Sequence, residues 1–200
     1  MDFLTIVLIA LAITIVLTAL IYLFKGISSG PYLSGKEAAG LRGEKRATEL
    51  IKSVLREDDY LFTNVEIDNG DEEAELDNVI VNKYGVFIIE VKAYSGTLVG
   101  SEDDYEWDKY HVSGGGNTYV KSAKNPIRQA NRQAGVLHRY LDYYGVKTWI
   151  EGYAMILGTK SPVSSDKVLR SVNEIDKAIH TRINNGLSKK MVEKICQILE

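Results

Sequence analysis

The stretch LDNVIVNKYGVFIIEVKAYSG, from Leu76 to Gly96, decides how this chain folds. Its β-branched and apolar residues predict two strands, Leu76–Val81 and Val86–Tyr94, joined by a turn at residues 83–85. The second strand is apolar over most of its length, which is typical of a central strand. Because a short turn joins antiparallel strands, the start of the first strand is expected beside the end of the second.

Three ionisable side chains interrupt this apolar stretch at the place where the strand ends are expected to meet. Side chains alternate faces along a strand, so Glu90 and Lys92 share one face. Asp77 begins the preceding strand and is expected to face them across the ladder. An ion pair between Glu90 and Lys92 that fixes the register is the structural explanation. Buried ion pairs seldom stabilise a fold, because desolvation offsets their attraction, so three such groups at one sheet edge favour a functional site.

Two carboxylates with backbone carbonyls nearby are suited to a hard divalent cation such as Mg²⁺ or Mn²⁺. Such an ion, held by Asp77 and Glu90, would polarise a phosphate and lower the pKa of a bound water. Lys92 beside it would position the water or stabilise developing negative charge. These residues therefore predict the active site of a phosphodiesterase.

Helical and strand patterns intermix on both sides of this stretch. A helix is expected over residues 36–55, and helical spacing puts Glu44 on its inward-facing stripe. A solvated glutamate in the first turn, which suits the helix dipole, is the alternative for Glu44. The mixture indicates an α/β or α+β domain with one central sheet. Strands are expected at 60–67 and 149–157, a hairpin at 105–121, and helices after Asn125-Pro126, at 173–183 and at 188–199.

Four motifs occur in order along the chain: GEKRATELI at Gly43–Ile51, ELDNVIVNKYGVFIIEVKAYSG at Glu75–Gly96, Trp107, and NPIRQA at Asn125–Ala130. Together they resemble the nuclease-related domain (NERD) family of the PD-(D/E)xK nuclease superfamily, over residues 36–157. The resemblance implies a restriction-endonuclease-like α/β fold, with a central mixed sheet flanked by helices. It also implies a metal-dependent nuclease activity.

The resemblance implies roles for individual residues. Lys92 would be the catalytic lysine, and Glu44 would add a carboxylate toward the metal or its water. Gln129 would orient the site or contact the substrate backbone, although from the residues alone it is a polar side chain beside an apolar seam, where a solvated face is the alternative. The implied ligands of Mg²⁺ or Mn²⁺ are Asp77, Glu90 and the Val91 carbonyl.

A substrate-binding surface is expected around the Asn125-Pro126 helix. Basic side chains there would contact phosphates and position nucleic acid without reading its sequence, and an ordinary basic helix face is the alternative. A net charge of −3 argues against a generally basic nucleic-acid binder. Aromatic residues on the preceding hairpin would stack on unpaired bases or simply hold the hairpin together. The basic residues are Lys121, Lys124, Arg128, Arg132 and Arg139, and the aromatic ones are Tyr105, Trp107, Tyr110 and Tyr119.

The N-terminal residues form an uncharged apolar run from Phe3 to Phe24. About 20 apolar residues cross a bilayer as a helix, so a transmembrane anchor is expected. A cleaved signal peptide is the alternative, but the start has no Lys or Arg and no suitable cleavage site follows the run. Basic residues follow the run and predict a cell-membrane protein with its N-terminus outside and its domain in the cytoplasm. A lone cysteine, Cys196, fits a reducing compartment.

The predicted organisation is an anchor at 1–24, a linker at 25–35, a nuclease-like domain at 36–160 and a C-terminal helical extension at 161–200. The expected function is that of a single-pass, membrane-anchored, magnesium-dependent nuclease acting on DNA rather than RNA. A tethered binding module that keeps the fold without turnover is the alternative, as is a module that acts through a protein partner on the C-terminal helices. The anchor favours these alternatives, whereas the intact set of Asp77, Glu90 and Lys92 favours the enzyme.

Overall fold

The structure, a computed structural model, describes residues 14–19, 34–68, 70, 72–158, 163–182 and 185–200. Residues 39–200 form one unit and residues 1–38 another, in which residues 14–19 are helical. The predicted anchor at 1–24 lies outside the described residues apart from that short helix, and the predicted linker at 25–35 lies outside them apart from its last two residues. None of the described helices combines the length and the apolar character needed to cross a membrane.

Helices and strands are intermixed along the described part of the chain. The helices are α1 (Gly35–Lys52), α2 (Pro126–Tyr143), α3 (Val172–Ile179) and α4 (Lys189–Leu199). The strands are β1 (Tyr60–Asp68), β2 (Glu73–Asn82), β3 (Gly85–Ala93), β4 (Thr97–Val99), β5 (Glu106–Val112), β6 (Thr118–Lys124), β7 (Ile150–Leu157) and β8 (Val168–Leu169).

A mixed central sheet has the strand order β1-β2-β3-β7-β8. The pairs β1–β2 and β2–β3 are antiparallel, whereas β7 pairs in parallel with both β3 and β8. Strand β3 lies in the middle and is buried from Gly85 to Val91. Its apolar, β-branched composition suits that position, because both faces of a central strand are covered. The predicted α/β fold with a central mixed sheet flanked by helices is confirmed at this level.

Helices cover both faces of the central sheet. Leu137 of α2 and Ile195 of α4 belong to the same core cluster as Ile88. Ile51 of α1 belongs, together with residues of α3, to the cluster that contains Phe87. Successive residues of a strand point to opposite faces, so α2 and α4 lie on one side of the sheet and α1 and α3 on the other.

Two glycines allow helices to approach the sheet closely. A Cβ atom on Gly43 of α1 would lie 2.5 Å from the Cβ of Ala93 at the end of β3. A Cβ atom on Gly152 of β7 would lie 2.8 Å from the carbonyl oxygen of Ala130 in α2. Both distances are too short for a contact between non-bonded atoms. Glycine at these positions therefore lets α1 lie against the end of β3 and α2 against the middle of β7.

A smaller antiparallel sheet, β4-β5-β6, extends from the chain between β3 and α2. Its root is anchored by Trp107, which is 1 % exposed and shares a core cluster with Leu98 and Ile156. The indole N–H of Trp107 donates to the carbonyl of Ser101 at 2.7 Å. The expectation that Trp107 stacks on unpaired bases is therefore wrong, because its ring is part of the core.

The Asn-Pro pair at the start of α2 fastens the loop before β5. Asn125 caps the helix by accepting the Ile127 N–H at 2.9 Å. Its side-chain amide donates to the carbonyls of Glu102 at 2.9 Å and Asp104 at 2.7 Å. Pro126 follows in the first turn, where its missing N–H costs nothing. Asn125 is thus a buried structural residue that joins α2 to the small sheet.

The described residues of the predicted C-terminal extension are built into the same unit as the rest of the fold. Strand β8 adds an edge strand to the central sheet. His180, at the end of α3, contacts Asp59 directly before β1 and so joins these two elements. The ring nitrogens of His180 lie 2.8 Å from Asp59 Oδ2 and 2.7 Å from Asp176 Oδ1. We call Asp59, Asp176 and His180 the histidine clamp; Asp59 and His180 are almost completely buried in it.

Candidate functional site

The candidate site lies where β2 and β3 separate. The ladder between these strands ends at the pair Val79–Ile88. Beyond this pair, the Asp77 side chain accepts a hydrogen bond where a backbone carbonyl would do so in a continued ladder. Its Oδ2 accepts the Val91 N–H at 2.7 Å. This contact turns the Asp77 side chain toward the end of β3, which carries the other two ionisable residues of the stretch.

Glu90 is 1 % exposed, and both of its carboxylate oxygens have partners. Lys92 Nζ donates to Oε1, from two residues further along the same strand face. Gln133 Nε2, from α2, donates to Oε2 at 2.7 Å. The structure therefore brings Asp77, Glu90 and Lys92 together as the sequence predicted, and it adds Gln133 to them. We call these four residues the sheet-edge cluster.

Gln133 has an unusual environment for a buried amide. Its Nε2 also donates to the Glu75 carbonyl at 2.9 Å, but its Oε1 is buried without a hydrogen-bond partner among the described residues. An unpaired buried acceptor is unfavourable, commonly by about 1–3 kcal/mol. Sequence reasoning missed this residue although a signal existed, because Gln133 lies three residues after Ala130 and four before Leu137, on the apolar stripe of α2.

The environment of the cluster shifts the titration of its members. Burial and, second, the Glu90 carboxylate raise the pKa of Asp77 to about 7, against the opposing influence of the Val91 N–H and Lys92. Burial acts to lower the pKa of Lys92, but the carboxylates of Glu90 and Asp77 outweigh it and hold that pKa above its ordinary value. Asp77 is therefore only partly ionised near neutral pH, and carboxyl groups with such shifted pKa values are often found at functional sites.

Glu44 lies at the margin of this arrangement. It stands on α1, which packs on the sheet face opposite to Glu90 and Lys92, and it is the weakest of the charges that raise the pKa of Asp77. One turn further along α1, Thr48 Oγ1 donates to Asn78 Oδ1 at 3.0 Å, which holds the helix beside the start of β2. A direct role of Glu44 at a metal stays a prediction.

Gln129 occupies the turn of α2 before Gln133. Its backbone N–H donates to the Asn125 carbonyl at 3.2 Å. Its side chain is half-buried and forms no hydrogen bond to the part of the chain that the structure describes. Gln133, rather than Gln129, therefore contacts Glu90, and the implied role of Gln129 stays a prediction.

The predicted basic residues divide among different surfaces. Lys121 and Lys124 lie on β6 with an odd separation in sequence, so they point to opposite faces of the small sheet. Arg128 and Arg132 are exposed one turn apart on α2, and the Arg128 guanidinium lies 5.5 Å from the centre of the Tyr105 ring. Arg139 is engaged elsewhere, in an ion pair with Glu72.

The donor atoms of the cluster fit the divalent cation that the sequence predicts. Asp77 and Glu90 supply carboxylate oxygens, and the unpartnered Oε1 of Gln133 supplies an amide oxygen close to them; oxygen ligands of these types suit Mg²⁺ and Mn²⁺. The elevated pKa of Asp77 also indicates a place where positive charge would be stabilising. Within the described residues, no three His, Cys, Asp or Glu side chains are grouped so that they alone could hold a metal ion.

Comparison with known proteins gives one match. The family model described as the nuclease-related domain, NERD, matches residues 39–157. This span covers more than half of the chain, from α1 to the end of β7, and includes every residue of the sheet-edge cluster. No curated protein and no solved structure matches the chain significantly.

Proposed function

The chain belongs to the nuclease-related domain (NERD) family of the PD-(D/E)xK-like nuclease superfamily, and on that premise we propose that it is a metal-dependent nuclease. It hydrolyses phosphodiester bonds, with DNA as the preferred substrate, on a restriction-endonuclease-like sheet. The observation that carries the proposal is the convergence of Asp77, Glu90 and Lys92 where β2 and β3 separate. Three ionisable groups at this position would contribute little to the stability of the fold, because desolvation offsets their attraction, so a structural role alone does not explain them.

Asp77, Glu90 and the Val91 carbonyl would hold the Mg²⁺ or Mn²⁺ ion, with Glu44 contributing a further carboxylate from α1. When bound, a divalent cation supplies positive charge that polarises a phosphate and makes a nearby water more acidic. Asp77 accepts the Val91 N–H, so the hydrogen bond fixes one carboxylate oxygen and leaves the other available as a ligand. Burial of Glu90 keeps water away from the back of the site.

Lys92 is the one cation in direct contact with the carboxylates of the cluster within the described residues. Its ammonium carries three donors, so it can bond Glu90 and still donate to a substrate oxygen. There it would stabilise the negative charge that develops on the phosphate. Arg128 and Arg132 on α2, and Lys121 on β6, are exposed and would bind phosphates on either side of the scissile bond. Gln129, one turn before Gln133, would contact the substrate backbone.

One observation favours the alternative of a binding module without turnover. Both oxygens of Glu90 are already engaged, by Lys92 and by Gln133. A carboxylate has about four lone-pair sites, so this does not prevent metal binding, but it makes Glu90 a weaker ligand than a free carboxylate. A protein partner docked on the C-terminal helices stays a prediction. The apolar faces of α3 and α4 are already buried in the core of the domain.

The test is cleavage of labelled duplex DNA, single-stranded DNA and RNA by the full chain, with Mg²⁺ or Mn²⁺ and with a chelator. Asp77→Asn and Glu90→Gln remove one negative charge each with little change of shape, and circular dichroism checks that both variants fold. Metal-dependent cleavage that both substitutions abolish would establish the enzyme. A folded wild-type chain that binds Mg²⁺ by calorimetry but cleaves no substrate would establish the binding module instead.

We also propose that residues 1–24 anchor the protein in the cell membrane, with the N-terminus outside and the nuclease-like domain in the cytoplasm. The uncharged run from Phe3 to Phe24 and the basic residues after it support this. Extraction of membranes at alkaline pH should leave the protein in the pellet, and protease added to intact cells should not remove the domain. Digestion of the domain from outside would contradict the topology.

A further inference from the structure

Two lysines face each other on the small sheet without an opposing charge. Lys109 of β5 pairs with Lys121 of β6 in the antiparallel register. Like charges directly opposite one another destabilise a pair of strands. Neither lysine has a carboxylate within ion-pair distance among the described residues. The pairing is thus a disadvantage for the isolated sheet, and a bound polyanion would reverse it.

The two faces of the small sheet differ in chemistry because side chains alternate along β5 and β6. One face, which we call the basic face, carries Lys109, His111, Tyr119 and Lys121 beyond the buried Trp107. The acidic residues of β5 fall on the opposite face, which we call the outer face. Its members are Glu106, Asp108, Tyr110, Val112, Thr118, Val120, Ser122 and Lys124. The sequence therefore concentrates positive charge on one side of a hairpin in a protein with a net charge of −3.

The basic face also has a flat aromatic surface. The rings of His111 and Tyr119 are stacked, with centroids 5.1 Å apart and planes 16° from parallel. Lys121 Nζ lies 5.5 Å from the centre of the Tyr119 ring. Tyr119 nevertheless remains 43 % exposed. Alternating cations and exposed rings are the two elements with which proteins hold the phosphates and the bases of unpaired strands.

Tyr94 connects the basic face to the sheet-edge cluster. Lys109 Nζ lies 5.1 Å from the centre of the Tyr94 ring. Tyr94 follows β3 directly, two residues after Lys92, and its backbone N–H donates to the Leu157 carbonyl at 3.0 Å, beside the end of β3. Tyr94 is close enough to the cluster for Lys92 and Glu90 to act on its titration, although burial is the larger influence and raises its pKa. A continuous path of charged and aromatic side chains therefore leaves the cluster and reaches the hairpin.

We propose that the basic face of the hairpin binds an unpaired polynucleotide strand and leads it to the sheet-edge cluster. This deepens the proposed function, on which it rests for the nature of the ligand, and it makes the substrate a nucleic acid with a single-stranded segment. Lys109 and Lys121 contact successive phosphates, and Tyr119 with His111 stacks on a base. DNA and RNA strands share this chemistry.

The test is binding of a fluorescent oligothymidylate to the full chain in detergent, followed by anisotropy with a chelator present so that no cleavage occurs. Each variant of the basic face has a matched control elsewhere on the chain, at a residue with no expected contact to nucleic acid. Lys121→Ala is compared with Lys83→Ala in the exposed turn before β3, and Tyr119→Ala with Tyr144→Ala, whose ring is similarly exposed at 45 %. Parallel titrations use oligouridylate, an abasic oligomer of equal length, and a blunt duplex.

Tyr119→Ala should weaken binding by about 5- to 100-fold, the effect of one lost base stack, and the loss should disappear with the abasic oligomer. Lys121→Ala should lower the slope of log affinity against log salt by about 0.7, as expected for one lost phosphate contact with a single strand. Both controls should bind like the wild type, and the blunt duplex should bind more weakly. Equal affinities for oligothymidylate and oligouridylate would agree with recognition of the chemistry that DNA and RNA strands share. A difference between them would show which of the two strands the basic face prefers.

Equal effects of the paired variants, or equal binding of duplex and single strand, would overturn the inference. These outcomes are distinct from a failure of the proposed nuclease function. A chain that cleaves DNA while all four variants bind normally would keep the nuclease and lose the strand-binding face. A chain that never cleaves but depends on Tyr119 and Lys121 for binding would keep the face and lose the enzyme.

Discussion

Two largely buried groups of ionisable side chains stand out among the described residues, and they differ in how completely they are paired. In the histidine clamp both ring nitrogens of His180 meet a carboxylate, and Arg56 adds a further contact to Asp176 at 3.5 Å. In the sheet-edge cluster one amide oxygen has no partner within the described residues, and Asp77 has a pKa of about 7.

This difference separates a structural role from a chemical one. A buried network in which every group is paired fixes one arrangement of the chain. A buried network with an unpaired acceptor and a carboxyl group of raised pKa is unfavourable unless a ligand binds to it. The degree of pairing, more than burial or charge alone, therefore marks the sheet-edge cluster as the site. Substitutions in the two groups should consequently have opposite signatures.

The largest expected effect is on cleavage after the change Lys92→Met. The substitution removes the donor that would stabilise charge on the phosphate, so the rate per folded molecule should fall by about 100- to 1,000-fold. Circular dichroism measures the folded fraction, because the buried Glu90 also loses its ammonium partner. Lys83→Met, in the exposed turn before β3, is the control and should leave the rate unchanged. Rates measured on the best of the DNA and RNA substrates check this, and a residual rate near that of the wild type would remove Lys92 from the chemistry.

The next effect is on stability after the change His180→Ala. Asp59 would lose the ring nitrogen that contacts it and keep the Arg56 N–H, and loss of a hydrogen bond to a buried charged group commonly costs about 1–3 kcal/mol. Urea unfolding should show the decrease, with no change in nucleic-acid affinity for the fraction that is folded. His138→Ala is the control, because His138 is exposed and contacts only the Thr148 carbonyl. A clamp variant as stable as that control would show that the pairing contributes little.

A smaller effect is expected on metal affinity after the change Gln133→Leu. Glu90 Oε2 would lose its amide donor and the cluster would lose the unpartnered amide oxygen. Loss of such a supporting group commonly reduces metal affinity by about 10- to 100-fold. Calorimetric titration with Mn²⁺ measures it without any need for turnover. Gln129→Leu, one turn earlier on α2, serves as the matched control, and equal affinities for the two variants would mean that Gln133 only fills space.

The smallest effect concerns pH. Because the folded state raises the pKa of Asp77 from 3.8 to about 7, the unfolded chain loses this proton first as the pH rises. The favourable contribution of protonated Asp77 is therefore complete below pH 3.8 and is lost by the time the pH exceeds about 7. Thermal unfolding of metal-free protein should show the wild type losing stability across this range relative to Asp77→Asn. Saturating Mg²⁺ should cancel the difference, and parallel curves for the two proteins without metal would contradict the shifted pKa.

The sequence predicted the parts of the fold that depend on local pattern. Alternation and β-branched residues identified β2 and β3, and the short turn between them correctly implied antiparallel pairing. Asp77, Glu90 and Lys92 meet at the strand ends for the same reason. The pairing of β8 with β7 and the small third strand β4 were not predicted, because two- and three-residue strands carry too little periodicity to be recognised.

Residues that act through long-range contacts were harder to assign. Trp107 was expected on a surface and lies in the core, because the sequence does not show that the small sheet is anchored against Ile156 of β7. The contact of His180 with Asp59 was not predicted, because the two residues are 121 positions apart and only the folded state brings them together. The helical spacing of α2 could have placed Gln133 on the buried face of the helix. The resemblance of the Asn-Pro-x-x-Gln motif to the family pattern led to the prediction of Gln129 instead.

The order of elements along the chain has a consequence for its synthesis on the ribosome. Strand β3 must wait for β7, and α4, the last helix to be made, shares a core cluster with residues of β1 and β2, among the first strands. Glu90 likewise acquires its Gln133 partner only after α2 has emerged. Domains with such distant pairings complete their cores late. Nascent chains from which α2 has not yet emerged should therefore lack the contact between Glu90 and Gln133.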